Sequence, residues 1–179
     1  MKYVAFLRGI NVGGKCIMKM AAVRRCLEDA GFKQVTTYIQ SGNVIVDTDE
    51  RTPSVVTRRI EAALSATFAY KAKVVVRSHA QLKGVVAGAP RSWSQGDHFR
   101  RYVAFLRPPV TAKQAVREVP VKDGVDTISA GNGVVYMSTL LTALNKSALT
   151  RLVCKPIYQD MTIRNHSTCV KILALMDRR

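Results

Sequence analysis

The segment GINVGGKCIMKM, Gly9 to Met20, concentrates the residues best suited to chemistry. Gly9, Gly13 and Gly14 permit left-handed backbone, which lets successive amide N–H groups converge on an anion beside a helix N-terminus. Arg8, Lys15 and Lys19 add positive charge. Gly9 to Lys15 satisfies the pattern G-x-x-x-x-G-K, but Cys16 stands where a phosphate-binding NTPase loop needs Ser or Thr, and a thiol is a poor ligand for Mg²⁺. A glycine loop shaped only for packing is the plainer alternative. Two further polar clusters sit where apolar runs stop: Gln40, Ser41 and Asn43, and Arg164 with Asn165. Arg8, Asn11, Gly13, Gly14, Lys15, Gln40, Ser41, Asn43, Arg164 and Asn165 therefore form the candidate anion-binding set. They offer amide, guanidinium and backbone donors and no carboxylate, which suits a phosphate or carboxylate ligand. Taken singly, Ser41, Asn43 and Asn165 are equally explained as turn formers and caps.

No catalytic residue is assigned by the same reading. Of His79, His98 and His166, none has a metal-ligand spacing, and only His166 lies beside a candidate cluster. Cys16 would be nucleophilic if the basic loop lowered its pKa, although a small buried thiol is the commoner role. Asp47, Asp49 and Glu50 read as a solvated loop or helix-entry charges. Cys16, Cys26, Cys154 and Cys169 contain no C-x-x-C pair and no alternation with His, so they read as reduced thiols in a cytoplasm, with no metal and no cofactor. Whether the protein is an enzyme stays open at this point.

These clusters must be positioned by a duplicated scaffold. YVAFLR occurs at Tyr3–Arg8 and again, letter for letter, at Tyr102–Arg107, and each copy is followed by a related hairpin, TYIQSGNVIVDT from Thr37 and TISAGNGVVYMST from Thr127. Two copies are too few for a solenoid and mark a duplicated supersecondary unit. In the first, the β-prone run Tyr3–Leu7 precedes Met20, Val23, Leu27 and Ala30 at helical spacing, with Gly31 as stop. A hairpin then turns at Ser41-Gly42-Asn43, Thr52 and Pro53 open a helix striped by Val56, Ile60, Ala63 and Leu64, and a last strand spans Lys73–Arg77. The order βαββαβ is that of ferredoxin-like domains.

Ser78 is expected to cap a short helix before the Gly/Pro/Ser-rich stretch from Gly88 to Phe99, which places the seam between a first subdomain, 1–98 with its linker, and a second, 99–179. The second copy predicts a short helix from Thr111 to Glu118, a hairpin about Asn132 and Gly133, a helix from about Leu140 to Val153, a strand Met161–Arg164 and a terminal helix Thr168–Met176 capped by Asn165 or Ser167. The fold class is therefore α+β, two ferredoxin-like units from an internal duplication. Because both YVAFLR strands are apolar on both faces, the sheets are expected to pack on each other or join, with helices outside. That arrangement argues against an RNA-recognition domain, which needs an open sheet face carrying stacking aromatics.

LRGINVGG, the YIQSGN hairpin and the C-terminal T-x-R-N-x-x-T at Thr162–Thr168 together resemble a widespread bacterial family known only as a domain of unknown function. The resemblance spans nearly the whole chain and implies two α+β subdomains of ferredoxin-like character, with no activity, substrate or catalytic residue to carry over. Members often have an acidic stretch and a Trp before the last Thr; this chain has Cys154-Lys155-Pro156 and His166 instead.

The 179 residues are 47% apolar and 22% charged, an ordinary globular composition that excludes collagen-like and disordered classes. The longest uncharged stretch, Thr127–Asn145, is broken by Gly131, Gly133 and several hydroxyls, and the N-terminal apolar run stops at Arg8; neither a membrane span nor a secretory leader is expected. Net charge is the unusual quantity: +16, shared equally between residues 1–98 and 99–179. Such a field attracts nucleic acid or a phosphorylated small molecule, although a solvated basic surface would look the same. The best functional expectation is a soluble basic protein binding a phosphate-bearing ligand or nucleic acid through the glycine-rich loop. Its alternatives are a small enzyme acting on a phosphorylated metabolite or nucleotide, and a homo-oligomeric interaction module without a small ligand.

Overall fold

The structure is a computed structural model and describes residues 1–11, 17–94, 96 and 98–178. The first copy of the repeat folds as β1 (Lys2–Leu7), α1 (Met20–Asp29), β2 (Lys33–Tyr38), β3 (Asn43–Asp47), α2 (Pro53–Thr67) and β4 (Val74–Ser78). Its strands form an antiparallel sheet in the order β2-β3-β1-β4, with Val4 opposite Ile45 on one side and Arg77 on the other. This is the expected ferredoxin-like βαββαβ arrangement. One face packs on the helices: Tyr3, Ala5, Val46 and Val76 from the sheet join Val23 and Leu27 of α1 and Val56, Ile60 and Leu64 of α2 in a single apolar core. The opposite face is closed as well, since Val4, Phe6 and Ile45 are fully buried.

Local chemistry explains the boundaries. Gly31 adopts φ 82° and ends α1. Pro53 starts α2 as expected, but the Thr52 hydroxyl makes no capping bond; its carbonyl receives the Val56 N–H instead. After β4, Ser78 and Gln81 form a reciprocal capping box, Gln81 N–H to Ser78 Oγ at 3.2 Å and Ser78 N–H to Gln81 Oε1 at 2.9 Å, which opens α3 (His79–Ala87).

The second copy contains β5 (Phe99–Leu106), α4 (Ala112–Glu118), β6 (Asp126–Gly131), β7 (Val134–Leu140), β8 (Met161–Asn165) and α5 (His166–Asp177), with sheet order β6-β7-β5-β8. Val103 lies opposite Tyr136 and Arg164, the same register that Val4 has in the first sheet. The expected helix from Leu140 to Val153 does not form. Three short 3₁₀ segments, Leu141–Lys146, Ala148–Cys154 and Pro156–Asp160, take its place. Ser147 caps the second segment through the Leu149 N–H, Ala143 leaves helical geometry, and Pro156 removes an N–H, so no continuous α-helical ladder can run through the region.

Compactness divides the chain into Met1–Leu82 with Ile172–Arg179, and Lys83–Lys171. The expected division at 98/99 follows the sequence repeat, whereas the compact units divide within α3, and the last turns of α5 belong with the first unit. There Lys2 Nζ donates to the Met176 carbonyl at 2.7 Å and His79 Nε2 lies 2.6 Å from Asp177 Oδ1. Among the described residues no helix is long and apolar enough to cross a membrane.

Gly42, in the β2–β3 turn, has φ 75°, and a Cβ there would lie 2.8 Å from Leu7 Cβ and Ile10 Cδ1. Gly42→Ala is expected to cost about 2–4 kcal/mol in urea unfolding, adding backbone strain to overpacking. Gly9→Ala, with φ 70° and nothing within 4 Å, should cost only about 1 kcal/mol. Equal losses for the two would show that the tight turn does not depend on this close approach.

Candidate functional site

The end of β1 is laced to its neighbours by backbone bonds, Leu7 N–H to the Gly42 carbonyl at 2.8 Å and Arg8 N–H to the Lys73 carbonyl at 3.0 Å. Asn11 then adopts left-handed backbone, φ 53°, and its side chain clasps two segments. Its Nδ2 donates to the Met18 carbonyl at 3.0 Å and the Gln40 carbonyl at 2.8 Å, while its Oδ1 accepts the Met18 N–H at 2.7 Å. Asn43, fully buried at the start of β3, donates to the Tyr38 carbonyl and to Ser41 Oγ, each at 3.0 Å. Arg8 is half-buried, and Gln40 and Ser41 are exposed. Asn11, Gln40, Ser41 and Asn43 thus gather at one end of the first sheet. The amides of Asn11 and Asn43 are engaged in holding the chain, so they position the loop's base. Gly13, Gly14 and Lys15, and also Cys16, lie outside the described residues.

Beside this clasp opens a cleft of about 570 Å³ lined by Asn11, Gln40, Ile17, Met18, Lys19 and Met20. It meets the start of α1, where Lys19 occupies the N-cap position without a side-chain bond and the first turn contains no acidic residue. The positive end of the helix dipole and the exposed Lys19 ammonium therefore act in the same direction.

Arg164 and Asn165 belong to the second unit. Arg164 is 9% exposed, and its Nη1 donates to Thr162 Oγ1 at 3.0 Å and to the Ile163 carbonyl at 2.8 Å. The register gives it a counterpart: Arg77 lies opposite Val4 as Arg164 lies opposite Val103, and Arg77 Nη1 donates to the Val76 carbonyl at 2.9 Å. Burial lowers both guanidinium pKa values to about 10, so both stay charged at neutral pH. Asn165 is exposed and borders a polar cleft of about 600 Å³ with Arg100, Arg101, His166 and Ser167 at the start of α5, whose first turn also lacks an acid.

His166 is a weak candidate base on this geometry. Its ring meets Trp93 edge-on at 5.0 Å, and Nε2 is buried with no hydrogen-bond partner. Burial, with the nearby Arg101 charge, pushes its pKa down and keeps the ring neutral at pH 7. Burial raises the Cys169 thiol to about 12, which denies it nucleophilic character at neutral pH, and Cys26 Sγ donates to Thr67 Oγ1 at 3.2 Å. Among the described residues no group of three or more His, Cys, Asp or Glu could hold a metal ion.

Asp126 is the polar centre that the sequence reading missed. At 7% exposure its Oδ1 accepts from Thr139 Oγ1 at 2.8 Å and Ser147 Oγ at 2.6 Å, and its Oδ2 accepts the N–H groups of Ala148 at 2.8 Å and Lys122 at 3.0 Å. Burial pushes the carboxyl pKa up, but these four donors outweigh it and the net shift is downward. The available signal was an isolated acid opening a strand whose hairpin partner, Thr139, carries a hydroxyl.

Two antiparallel α+β units of ferredoxin-like topology define the class of this protein. The chain belongs to the family described as "Protein of unknown function (DUF1697)", whose profile matches residues 1–136. Among solved structures it is similar to the conserved bacterial protein SP0830 from Streptococcus pneumoniae, at 24% identity over 98% of each chain with a TM-score of 0.84. That likeness shows the fold. An unknown protein from Galdieria sulphuraria aligns at 11% identity over 92% of this chain and 95% of its own, with a TM-score of 0.22, too low to bear on the architecture. Curated proteins yield no match.

Asp126→Asn is expected to lower stability by about 2–3 kcal/mol, because an amide cannot accept from all four donors. The folded carboxyl pKa lies below the unfolded value of about 3.9, so its stabilisation is complete above that value and disappears as pH falls through the lower, folded value. Urea unfolding between neutral pH and pH 2 should therefore show an acid-dependent loss in the native chain that the variant lacks. Parallel pH profiles would contradict this role for the carboxylate.

Proposed function

We propose that this protein binds phosphate-bearing polyanions, nucleic acid foremost, through backbone electrostatics. The observation that supports the reading is a cleft in each unit that includes a cationic side chain at the start of a helix without acid in its first turn: Lys19 at α1, in an otherwise largely apolar lining, and Arg100 and Arg101 at α5. Helix N-termini and cationic side chains together favour phosphate oxygens. A net charge of +16 exceeds what one small pocket needs and suits a ligand with many phosphates. The buried second faces of the central strands leave no broad stacking surface, so recognition would rest on the phosphate backbone. Gly13, Gly14 and Lys15 enter this reading as the sequence-derived part of the α1 site, with Asn11 as the clasp that closes its base.

Titration of a labelled single-stranded oligonucleotide, followed by fluorescence anisotropy, should show affinity falling linearly on logarithmic axes with salt, with a slope of about −0.7 per phosphate contacted. Lys19→Ala and Lys15→Ala should each weaken binding for every sequence tested and reduce the magnitude of that slope by about 0.7. Failure to bind at low salt would overturn the proposal. Saturable one-to-one binding of nucleoside phosphates with little salt dependence, abolished by Lys15→Ala, would instead favour a small phosphate-handling enzyme.

A further inference from the structure

The repeat supplies an internal comparison that exposes an apolar cavity beside the α5 cleft, with which it shares Arg100 and Tyr102. In the first unit, α2 lies over the sheet, and Tyr3, Val46 and Val76 are buried beneath it at 0%, 0% and 4% exposure. The matching register positions of the second unit are Tyr102, Met137 and Ile163. Of these Tyr102 and Ile163 are only half-buried, because 3₁₀ segments replace the long helix. Where α2 would have filled the space there is a cavity of about 230 Å³. Its floor is Tyr102, Met137 and Ile163, and Leu144, Leu149 and Leu152 close it from the 3₁₀ side.

Asp126 fixes where the 3₁₀ region meets the sheet, accepting from Ser147 Oγ and the Ala148 N–H. The cavity's aliphatic hydroxyls have committed their protons to the protein: Thr139 and Ser147 donate to Asp126, and Thr150 donates to the Ser147 carbonyl. Arg100 is exposed and brings the one charge among the lining residues. An apolar cavity of about 150 Å³ is enough to admit benzene. The space here therefore takes one ring or a short branched chain with a small substituent.

We propose that this cavity binds a compact, apolar carboxylic acid, its ring or branched chain seated among Tyr102, Met137, Leu144, Leu152 and Ile163 and its carboxylate paired with Arg100. The pairing is charge-assisted and the body is desolvated, so acid and neutral analogues are distinguished at the head group alone.

Calorimetry with phenylacetate and its neutral isostere phenylacetamide tests this directly. The acid should bind one-to-one, about tenfold or more tighter than the amide. Arg100→Ala should erase that preference while leaving amide binding unchanged. Leu144→Trp should fill the cavity and abolish binding of both, and Ile163→Phe blocks it from the sheet side should the first variant fail to fold by circular dichroism. No binding of phenylacetate to the native chain would overturn the proposal, as would equal affinity for acid and amide, a preference that survives Arg100→Ala, or binding that survives a folded cavity-filling variant. Oligonucleotide affinity measured in Leu144→Trp should stay at the native value, which separates this site from the anion clefts.

Discussion

Each unit is organised around one strand that is apolar on both faces. Tyr3 and Ala5 point into the helix-covered core, while Val4 and Phe6 are fully buried on the other side, and Val103 and Phe105 repeat this in the second sheet. A strand buried on both faces has little room for polar side chains along its length. Polar groups are therefore concentrated at strand ends and in the connections, which is where both clefts open. Arg77 and Arg164 are the informative exceptions, because each guanidinium bonds to the carbonyl of the residue before it in its own strand.

The two copies share register but diverge in how they cover their sheets. The first uses a 15-residue helix whose stripe of Val56, Ile60 and Leu64 fills the core to closure. The second surrounds a buried carboxylate with four donors and covers the sheet with short 3₁₀ segments. In the first unit the helix stripe packs directly on the sheet residues. A face held by a polar anchor can keep a cavity, since the anchor fixes the distance between wall and sheet whatever the packing requires. The two copies thus share a scaffold, and the second carries a cavity beneath its 3₁₀ segments.

Asparagine does different work at the two ends of the glycine loop's neighbourhood than its polarity implies. Asn11 bridges Met18 and Gln40, and Asn43 holds the hairpin through Tyr38 and Ser41. Both spend their amides on backbone groups of neighbouring segments. In this arrangement Lys19 at the start of α1 is exposed to solvent, and the amides hold the chain beside it.

The residues alone were sufficient for the repeat, the βαββαβ order of elements in the first copy and most element ends, because hydrophobic period, glycine stops and caps such as Ser78 are local and act before any packing. They were also sufficient to show that both faces of the YVAFLR strands would be covered. They could not reveal that Leu140–Val153 would break into 3₁₀ segments, since that stretch has helical composition and the competing partner, Asp126, lies more than a dozen residues earlier in the chain. The structural roles of Asn11 and Asn43, the counterpart relation of Arg77 and Arg164, and the cavity beneath Leu144 likewise arise from contacts between distant segments. Sequence sets which groups are polar and where strands stop; only tertiary structure decides which of those groups are consumed by the fold and which remain to meet a ligand, because hydrogen-bond partners are assigned by proximity in space.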